Sequence, residues 1–292
     1  MDKILIADSG ASKTDWACVC PGTGETVRFK SQGYNPNYIS PERIESDIRK
    51  NMPGDFPVQE VRGIFFYGAG VTPLQYPMMR AILLKVFPHA VRIDVAMDTL
   101  ASCRALLGDS PGFAAILGTG SNTCLYDGRN EGLNVDSCGF ILGDEGSGAY
   151  LGKRMITDYI RRNMPENVLE LVGAELGMDN EQLLDRIYTR PFPNRFCAQY
   201  AKFINDNLET APYFTELVLD AFRKFFGRIV SHYPDYRSYR FNAVGSVAWH
   251  FRPLLKKVAG EFGMETGTIA KAPMEGLVRY HTDHYEDFQA IC

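Results

Sequence analysis

The sequence predicts an α/β protein whose fold contains two copies of one design. Residues 4–19 run from an apolar segment through a turn of small and hydroxyl-bearing residues into a second apolar segment, which is typical of a β-hairpin. Residues 113–127 repeat that order. Elsewhere, apolar runs alternate with segments of helical spacing, which favours mixed sheets covered by helices. The two hairpins therefore indicate an internal duplication.

The first half reads as three strands followed by alternating helices and strands. Short apolar runs bounded by turn residues predict strands, and apolar residues at helical spacing predict helices. After the first hairpin, the predicted elements are a strand over 24–31, a helix over 41–52, a strand over 61–67, a helix over 73–87, a strand over 91–97 and a helix over 99–107.

The second half begins with the hairpin over 113–127 and continues with more helix. Predicted elements are a third strand near 135–141, a helical region over 147–233 with breaks at Pro165, Gly177 and Pro191–Pro193, a strand over 239–244, a helix over 247–262, a strand over 267–271 and a terminal helix. The turn-rich stretch 108–112 is the predicted domain boundary. It separates a first domain, 1–108, from a second, 109–292, with a helical insertion over about 150–233.

Composition excludes several classes of function. The net charge of −4 offers no basic surplus for nucleic acid. The sequence has no apolar run of about 18 residues, so we expect no membrane span, and its beginning does not resemble a signal peptide. The seven cysteines are an odd number without a CxxC pair, which favours a reducing, cytoplasmic setting over a disulfide framework.

The turn of the first hairpin has the chemistry of a phosphate site. Small residues let backbone N–H groups approach an anion, and hydroxyl and ammonium groups add donors. Asp8, just before the turn, is a candidate Mg²⁺ ligand, directly or through water. A polar hairpin turn without a ligand is the alternative. The candidates for phosphate contact are Ser9, Gly10, Ala11, Ser12, Lys13 and Thr14.

Three further segments carry candidate residues. Gly118, Thr119, Gly120 and Ser121 occupy, in the second hairpin, the place of Ser9 to Ser12. Gly245 and Ser246 join a predicted strand to a predicted helix, whose N-terminus favours an anion. Asp98 follows a predicted strand at the position where open α/β sheets bind ligands, although a helix N-cap would also explain an Asp there.

Six segments together resemble a known family. They are Asp8–Thr14, Asn35 within GlyTyrAsnProAsn, Asp98 within MetAspThrLeuAlaSer, Gly118–Asn122, Gly143–Ser147 and Gly245–Val247. In this order they resemble the sugar-kinase branch of the actin and hexokinase superfamily, over essentially the whole chain. The nearest group is that of N-acetylglucosamine kinases, in the wider ATPase family that includes activators of benzoyl-CoA reductase. Ser9 and Ala11 depart from that family's usual glycines.

The resemblance implies a fold and an activity. We expect two ribonuclease-H-like, actin-like ATPase domains with a cleft between them, in which Mg²⁺ and ATP bind beside an amino sugar. Asp98 matches the family's catalytic base, and Asn35, Asp98, Gly120 and Asp144 match its sugar-binding positions. The expected reaction converts N-acetylglucosamine to its 6-phosphate, with glucosamine and N-acetylmuramic acid as alternative acceptors. Related kinases are often dimers, and the helical region 150–233 would offer a homodimer interface.

Two other functions stay open at this point. The activator relatives are ATPases that bridge an iron–sulfur cluster across a dimer with cysteines, but Cys138-Gly139-Phe140 does not match their pattern. A sugar sensor that keeps the fold without catalysis is the other alternative. The presence of Asp98 disfavours it, because a sensor has no need of a catalytic base.

Overall fold

The structure is a computed structural model that describes residues 2–10, 12–35 and 39–286. Its strands, in chain order, are β1 (Lys3–Ser9), β2 (Lys13–Val19), β3 (Thr26–Gln32), β4 (Val61–Gly68), β5 (Arg92–Met97), β6 (Gly112–Leu117), β7 (Ser121–Tyr126), β8 (Phe241–Val244) and β9 (Thr266–Ala270). Its helices are α1 (Pro41–Asn51), α2 (Tyr76–Val86), α3 (Asp98–Leu107), α4 (Gly139–Leu142), α5 (Gly148–Ile160), α6 (Glu166–Leu176), α7 (Asn180–Tyr188), α8 (Pro193–Ala198), α9 (Tyr200–Asp206), α10 (Pro212–Arg228), α11 (Ser246–His250), α12 (Arg252–Glu261) and α13 (Met274–Asp283).

The chain forms two compact units. Among the described residues, the first unit holds those up to 110, 128–130 and those from 272 onward, and the second holds 111–127 and 131–271. The predicted second domain, 109–292, differs from this division in its last segment. That segment joins the first unit because α13 packs on β1, β2 and α3. A Cβ atom at Gly276 would lie 2.3 Å from the Ala105 carbonyl oxygen, so only glycine allows this approach of α13 to α3.

The first unit contains a five-stranded sheet in the order β3-β2-β1-β4-β5. The first three strands pair antiparallel, and β1, β4 and β5 run parallel. Because alternate residues of a strand point to opposite faces, Leu5 and Ala7 join the core with Ile44 of α1, while Ile4 and Ile6 join the core with α3 and α13. Burial on both faces explains why β1 and β4 are nearly continuous apolar runs.

The second unit repeats this pattern in a shorter sheet. Its four strands have the order β7-β6-β8-β9, with β6 and β7 antiparallel and β6, β8 and β9 parallel. Both predicted hairpins and the predicted breaks in the helical region are confirmed. Pro165 precedes α6, Gly177 ends it at φ 58°, and Pro193 begins α8.

The predicted third strand near 135–141 is wrong. Cys138 and Gly139 have φ values of 57° and 63°, and the Asp136 carboxylate accepts a hydrogen bond from the Cys138 N–H (2.8 Å), so the chain turns here and α4 follows. The partner of β7 lies earlier instead. The Leu125 N–H donates to the Leu133 carbonyl (2.9 Å), and the Gly132 N–H donates to the Leu125 carbonyl (2.8 Å).

Among the described residues, no helix is both long and apolar enough to cross a membrane.

Candidate active site

The parallel strands of the first unit bring two carboxylates to one edge of the sheet. The pairing register sets Ser9 beside Gly68 and Gly68 beside Met97, so β1, β4 and β5 end at the same level. Asp8 is the penultimate residue of β1, and Asp98 comes directly after β5. This edge is where ligands bind in open α/β sheets. The ends of β1, β4 and β5 therefore lie side by side at this edge.

Asp8 and Asp98 are close enough to affect each other electrostatically. Burial, together with the negative charges of Asp98 and Asp15, raises the pKa of Asp8 to about 7 against the opposing effect of Lys13. The lysine therefore offsets only part of the cost of ionising this carboxylate. A cation bound beside Asp8 would reduce that cost further.

The position of Asp98 in its helix bears on the alternative of a helix cap. Met97 is the N-cap of α3, and Asp98 is the first helical residue. Its backbone carbonyl accepts a hydrogen bond from the Ser102 hydroxyl (3.0 Å). An N-cap side chain accepts from an N–H two or three residues later, and the residue in that position here is Met97 rather than Asp98. The structure therefore gives little weight to a capping role for the Asp98 carboxylate.

The oxygen donors at this edge suit Mg²⁺ with water and phosphate among its ligands better than a metal ion whose ligands all come from the protein. Carboxylate oxygens are the ligands that Mg²⁺ prefers, and it commonly uses one or two of them together with water and phosphate. Across 2–10, 12–35 and 39–286, no group of three or more His, Cys, Asp or Glu side chains could hold a metal ion. Asp8 fits as one ligand, because a divalent cation would supply the charge that its surroundings lack.

The turn between β1 and β2 presents one cation and one hydroxyl to solvent. Its Gly10 N–H donates to the Lys13 carbonyl (2.9 Å), and Ser12 and Lys13 are exposed. The Lys13 ammonium forms an ion pair (2.6 Å) with Asp15, two residues later on β2. Ala11 lies outside the described residues. The ion pair holds the Lys13 charge close to Asp8.

The Ser9 and Thr14 hydroxyls form hydrogen bonds within the fold. Both residues are fully buried. Thr14 Oγ1 lies 2.8 Å from both Ser9 Oγ and the Gln32 carbonyl oxygen, and Ser9 Oγ accepts from the Tyr34 N–H (3.0 Å). Thr14 Oγ1 is the donor in both contacts, and its single proton is shared between the Ser9 hydroxyl and the Gln32 carbonyl. These hydroxyls brace the turn against the loop after β3, and phosphate binding at Ser9 and Thr14 stays a prediction.

The loop after β3 carries Asn35, which contacts the segment after β4. A Cβ atom at Gly70, whose φ is 71°, would lie 2.7 Å from Asn35 Nδ2. The neighbouring Tyr34 is fully buried and donates its hydroxyl to Asp47 (2.8 Å). The candidate sugar-binding amide is therefore held at the same sheet edge as Asp8, between a braced loop and a glycine.

The corresponding turn in the second unit rests on the N-terminus of α5. The Gly148 N–H donates to the Gly118 carbonyl (2.8 Å), and the Ala149 N–H donates to the Thr119 carbonyl (3.0 Å). These two amides belong to the first turn of α5, whose N–H groups have no partner within the helix. The N-cap is Ser147, whose side chain accepts from the Tyr150 N–H. The helix therefore fixes the position of the turn.

Asp144 lies against this turn from the other side. Its carboxylate accepts from the Ser121 N–H (3.2 Å), and a Cβ atom at Gly120 would lie 3.1 Å from its Oδ2 atom. Its backbone has a φ of 57°, a left-handed conformation that Asp tolerates better than most residues. Burial raises the pKa of Asp144, and the nearby Lys153 charge opposes that rise. The structure brings Gly120, Ser121 and Asp144 together.

Gly245 lies against the start of the same turn. Its φ is 128°, and a Cβ atom there would lie 2.2 Å from the Leu117 carbonyl oxygen. Its N–H donates to the Ala270 carbonyl of β9 (3.0 Å). Ser246, the first residue of α11, is exposed beside it. Only glycine fits this position, which places the start of α11 next to Gly118.

Further residues, beyond the predicted site residues, contribute to these sites. Asp15 pairs with Lys13 and shifts the pKa of Asp8; its place two residues beyond Lys13 on a strand was the available signal. Lys153 donates to the Phe140 carbonyl (2.5 Å) and acts on Asp144 from α5, and no local pattern marked it. Glu145 forms an ion pair with Arg228 of α10 (2.9 Å), which anchors the segment that carries Asp144.

Comparisons with known proteins bear on the family. A comparison with protein-family models finds no match, and a comparison with curated proteins finds none. Among solved structures, the putative N-acetylglucosamine kinase of Porphyromonas gingivalis is 40% identical, covers 97% of this chain and 99% of its own, and superposes with a TM-score of 0.92.

More distant structures share the fold alone. A putative N-acetylglucosamine kinase of Chromobacterium violaceum is 15% identical over 96% of this chain and 99% of its own, with a TM-score of 0.72. A non-polymerising MamK mutant bound to AMPPNP is 14% identical over 98% and 99%, with a TM-score of 0.52. With the 40% identity to the Porphyromonas protein across nearly the whole chain, these likenesses show that the chain belongs to the N-acetylglucosamine kinase-like family of the actin-like ATPase fold.

Proposed function

We propose that this protein transfers the γ-phosphoryl group of ATP to a hydroxyl of an amino sugar, with N-acetylglucosamine as acceptor and N-acetylglucosamine 6-phosphate as product. The observation that supports this most is the pair Asp8 and Asp98 at one sheet edge. It occurs in a chain 40% identical to a putative N-acetylglucosamine kinase. The Asp8 carboxylate suits a metal ligand, and the Asp98 carboxylate suits the acceptor of a proton.

Asp98 is the proposed general base. It accepts the proton of the attacking sugar hydroxyl as the oxygen forms a bond to the γ-phosphorus. The bond between that phosphorus and the oxygen of the β-phosphate breaks, and ADP leaves with the electron pair. A positioned carboxylate serves phosphoryl transfer chiefly by orienting the hydroxyl and taking its proton.

ATP is proposed to bind through the two turns. In the first unit, Ser12 and Lys13 are the proposed donors to phosphate, and Gly10 and Ala11 keep their predicted places in the turn beside them. In the second unit, Gly118, Thr119, Gly120 and Ser121 form the corresponding turn against the phosphates. Gly245 and Ser246 would contact the nucleotide through the start of α11. Glycine at these positions allows the backbone to approach the ligand closely.

Asp8 would hold Mg²⁺, which shields the negative charge of the β- and γ-phosphates when bound. The sugar would meet Asn35, Gly120 and Asp144 beside Asp98. An amide can donate and accept at once, which suits a pair of sugar hydroxyls. The carboxylate of Asp144 is already fixed by the Ser121 N–H, so its orientation is set before the sugar arrives.

Glucosamine and N-acetylmuramic acid are alternative acceptors within the same reaction class. An activator of a partner oxidoreductase has no comparable support. Among the cysteines in the described part of the chain, Cys138 alone is exposed. A cluster bridging two subunits would need more accessible thiolates from each subunit.

The test is ADP release with Mg·ATP against N-acetylglucosamine, glucosamine, N-acetylmuramic acid, N-acetylmannosamine, glucose and a blank without sugar. We expect turnover well above the blank with N-acetylglucosamine, and a 6-phosphate product by phosphorus NMR. Turnover with one of the other amino sugars alone would replace the acceptor but keep the reaction. ATP hydrolysis independent of sugar, or no hydrolysis at all, would overturn the proposal.

A further inference from the structure

Gly70 lies directly against the side chain of Asn35. A Cβ atom built on Gly70 would lie 2.7 Å from Asn35 Nδ2, 3.1 Å from Cγ and 3.3 Å from Oδ1. A Cβ atom at position 70 would therefore clash with Nδ2 and make tight contacts with the other two heavy atoms of the carboxamide. The contact joins two segments far apart in the sequence, the loop after β3 and the loop after β4.

The backbone around Asn35 is fixed independently of Gly70. The Tyr34 N–H donates to Ser9 Oγ (3.0 Å), and the Tyr34 hydroxyl donates to Asp47 (2.8 Å). The Asn35 carbonyl accepts from the Ile39 N–H (3.2 Å). Since the main chain is held on both sides, a bulkier residue at position 70 would shift the carboxamide more than the loop.

Gly70 is fixed as well. It follows β4 in the segment whose Ala69 N–H donates to the Ser9 carbonyl (2.8 Å) and whose Val71 is fully buried. Because Ser9 also accepts from Tyr34, one residue of β1 ties both loops together. The gap between Asn35 and Gly70 therefore has little freedom to widen.

We infer that Gly70 is a positioning residue for the sugar: the lack of a side chain at this position sets the pose of the Asn35 carboxamide. This inference rests on the proposed function, because it assigns Asn35 to the amino-sugar acceptor. It adds a residue outside the segments that carry the family resemblance. Gly70 itself touches the amide and not the reacting atoms.

The test compares Gly70→Ala with Gly24→Ala. Gly24 has nearly the same positive φ, 74°, but a Cβ atom there meets nothing within 4 Å, so the pair shares backbone strain and differs in the contact. We expect Gly70→Ala to lower kcat/KM for N-acetylglucosamine by about 10²-fold, as displacement of a positioning group by about 1 Å does. Gly24→Ala should stay near wild type, and KM for Mg·ATP should change little in either variant.

A double-variant cycle tests whether the effect passes through Asn35. In an Asn35→Ala background, Gly70→Ala should cause no further loss of kcat/KM, because the clashing atoms are gone. The temperature of unfolding should also recover. If Gly70→Ala fails to fold alone, recovery of folding in the double variant supports the contact, and failure to recover overturns it.

Two outcomes separate this inference from the proposed function. Wild-type turnover with an amino sugar, together with equal behaviour of Gly70→Ala and Gly24→Ala, would overturn the inference alone. A loss that persists in the Asn35→Ala background would do the same. No turnover of any amino sugar by the wild-type protein would overturn the proposed function and this inference with it.

Discussion

At the scale of single residues, two carboxylates have different surroundings although they lie at one sheet edge. Asp8 is the penultimate residue of β1, where burial and two acidic neighbours raise its pKa to about 7. Asp98 begins a helix, and the backbone there can stabilise its negative charge. This difference supports the proposal that Asp8 holds the metal and that Asp98 accepts the proton.

Replacement of Asp98 by Asn tests the base. We expect Asp98→Asn to lower kcat by about 10²–10⁴-fold, the usual contribution of general-base catalysis. Sugar affinity, measured by calorimetry, should change only a few-fold, because the amide keeps the shape and one acceptor. Asp94→Asn on the preceding strand, β5, is the matched control, since Asp94 pairs with Arg92 on the surface. Retention of more than about a tenth of wild-type kcat would reject the assignment.

Replacement of Asp8 by Asn tests the metal ligand. The amide removes the negative charge that attracts Mg²⁺, so the Mg²⁺ concentration for half-maximal rate should rise by at least about tenfold. The KM for sugar should be unchanged, because Asp8 is assigned to the metal and not to the acceptor. A Mg²⁺ titration that matches wild type would contradict the metal role.

Residue types in their motifs predicted most of these side chains, but not their partners. Asp8 and Asp98 could be selected from sequence because each lies at the end of a predicted strand, whereas Asn35 is selected only by the family resemblance. The burial of Ser9 and Thr14 could not, since it depends on a loop that returns from β3 to cover them. Hydrogen-bond partners 18 to 25 residues away leave no local signal.

At the scale of elements, the hairpins and the helix breaks follow from local chemistry. The absence of the predicted strand near 135–141 does not. Pro165, Gly177 and Pro193 mark breaks of the helical region. The apolar residues at 135–141 looked like a strand, but left-handed backbone at Cys138 and Gly139 turns the chain away. An Asp two residues before was the available sign of a turn.

A glycine inside α5 offers a test of helix packing. A Cβ atom at Gly152 would lie 1.9 Å from the Cys197 carbonyl oxygen of α8, and backbone cannot yield as a side chain can. Alanine normally favours a helix over glycine by about 0.5–1 kcal/mol. Here we expect Gly152→Ala to reduce the free energy of unfolding by about 1–3 kcal/mol, the usual cost of overpacking.

The control for this variant is Gly260→Ala in α12, where a Cβ atom meets nothing within 4 Å. It should raise the free energy of unfolding slightly, measured by urea denaturation at the same pH. Opposite signs for the two substitutions would support close contact between α5 and α8. Stabilisation by Gly152→Ala would show that the two helices lie farther apart.

At the scale of the whole molecule, the first unit contains a buried histidine that must be neutral. Arg104 donates to the Tyr67 hydroxyl oxygen (2.6 Å), which lies 2.8 Å from His281 Nε2. This arrangement suits a Tyr67 hydroxyl that donates to an unprotonated Nε2. Burial and the charges of Arg104, His284 and Arg92 lower the pKa of His281 well below its usual value.

Acid should therefore destabilise this unit through His281. Below a pH of about 6.5 the unfolded chain binds a proton at this residue and the folded chain does not, so stability is lost by up to about 1.4 kcal/mol per pH unit. Asp8 acts in the opposite direction, since its raised pKa favours the folded state as the pH falls from 7 towards 4. A comparison of variants separates the effect of His281 on stability from that of Asp8.

The measurement is the free energy of unfolding between pH 7.5 and about 5 for wild type, His281→Gln and His89→Gln. His281→Gln should be less stable at pH 7.5 but lose less stability on acidification. His89→Gln, a change at an exposed imidazole that is not among the groups acting on His281, should keep the wild-type slope. Parallel slopes for all three proteins would contradict a neutral buried His281.

The arrangement of α5 under the second turn has an effect on charge discrimination. The carbonyl oxygens of Gly118 and Thr119 accept from α5, and that of Gly120 accepts from the Gly118 N–H (3.0 Å). Every backbone acceptor of the loop is thus occupied from within. A sodium or potassium ion would have to compete with these hydrogen bonds for a backbone oxygen, whereas an anion would not. The backbone of the loop therefore favours an anion over a cation.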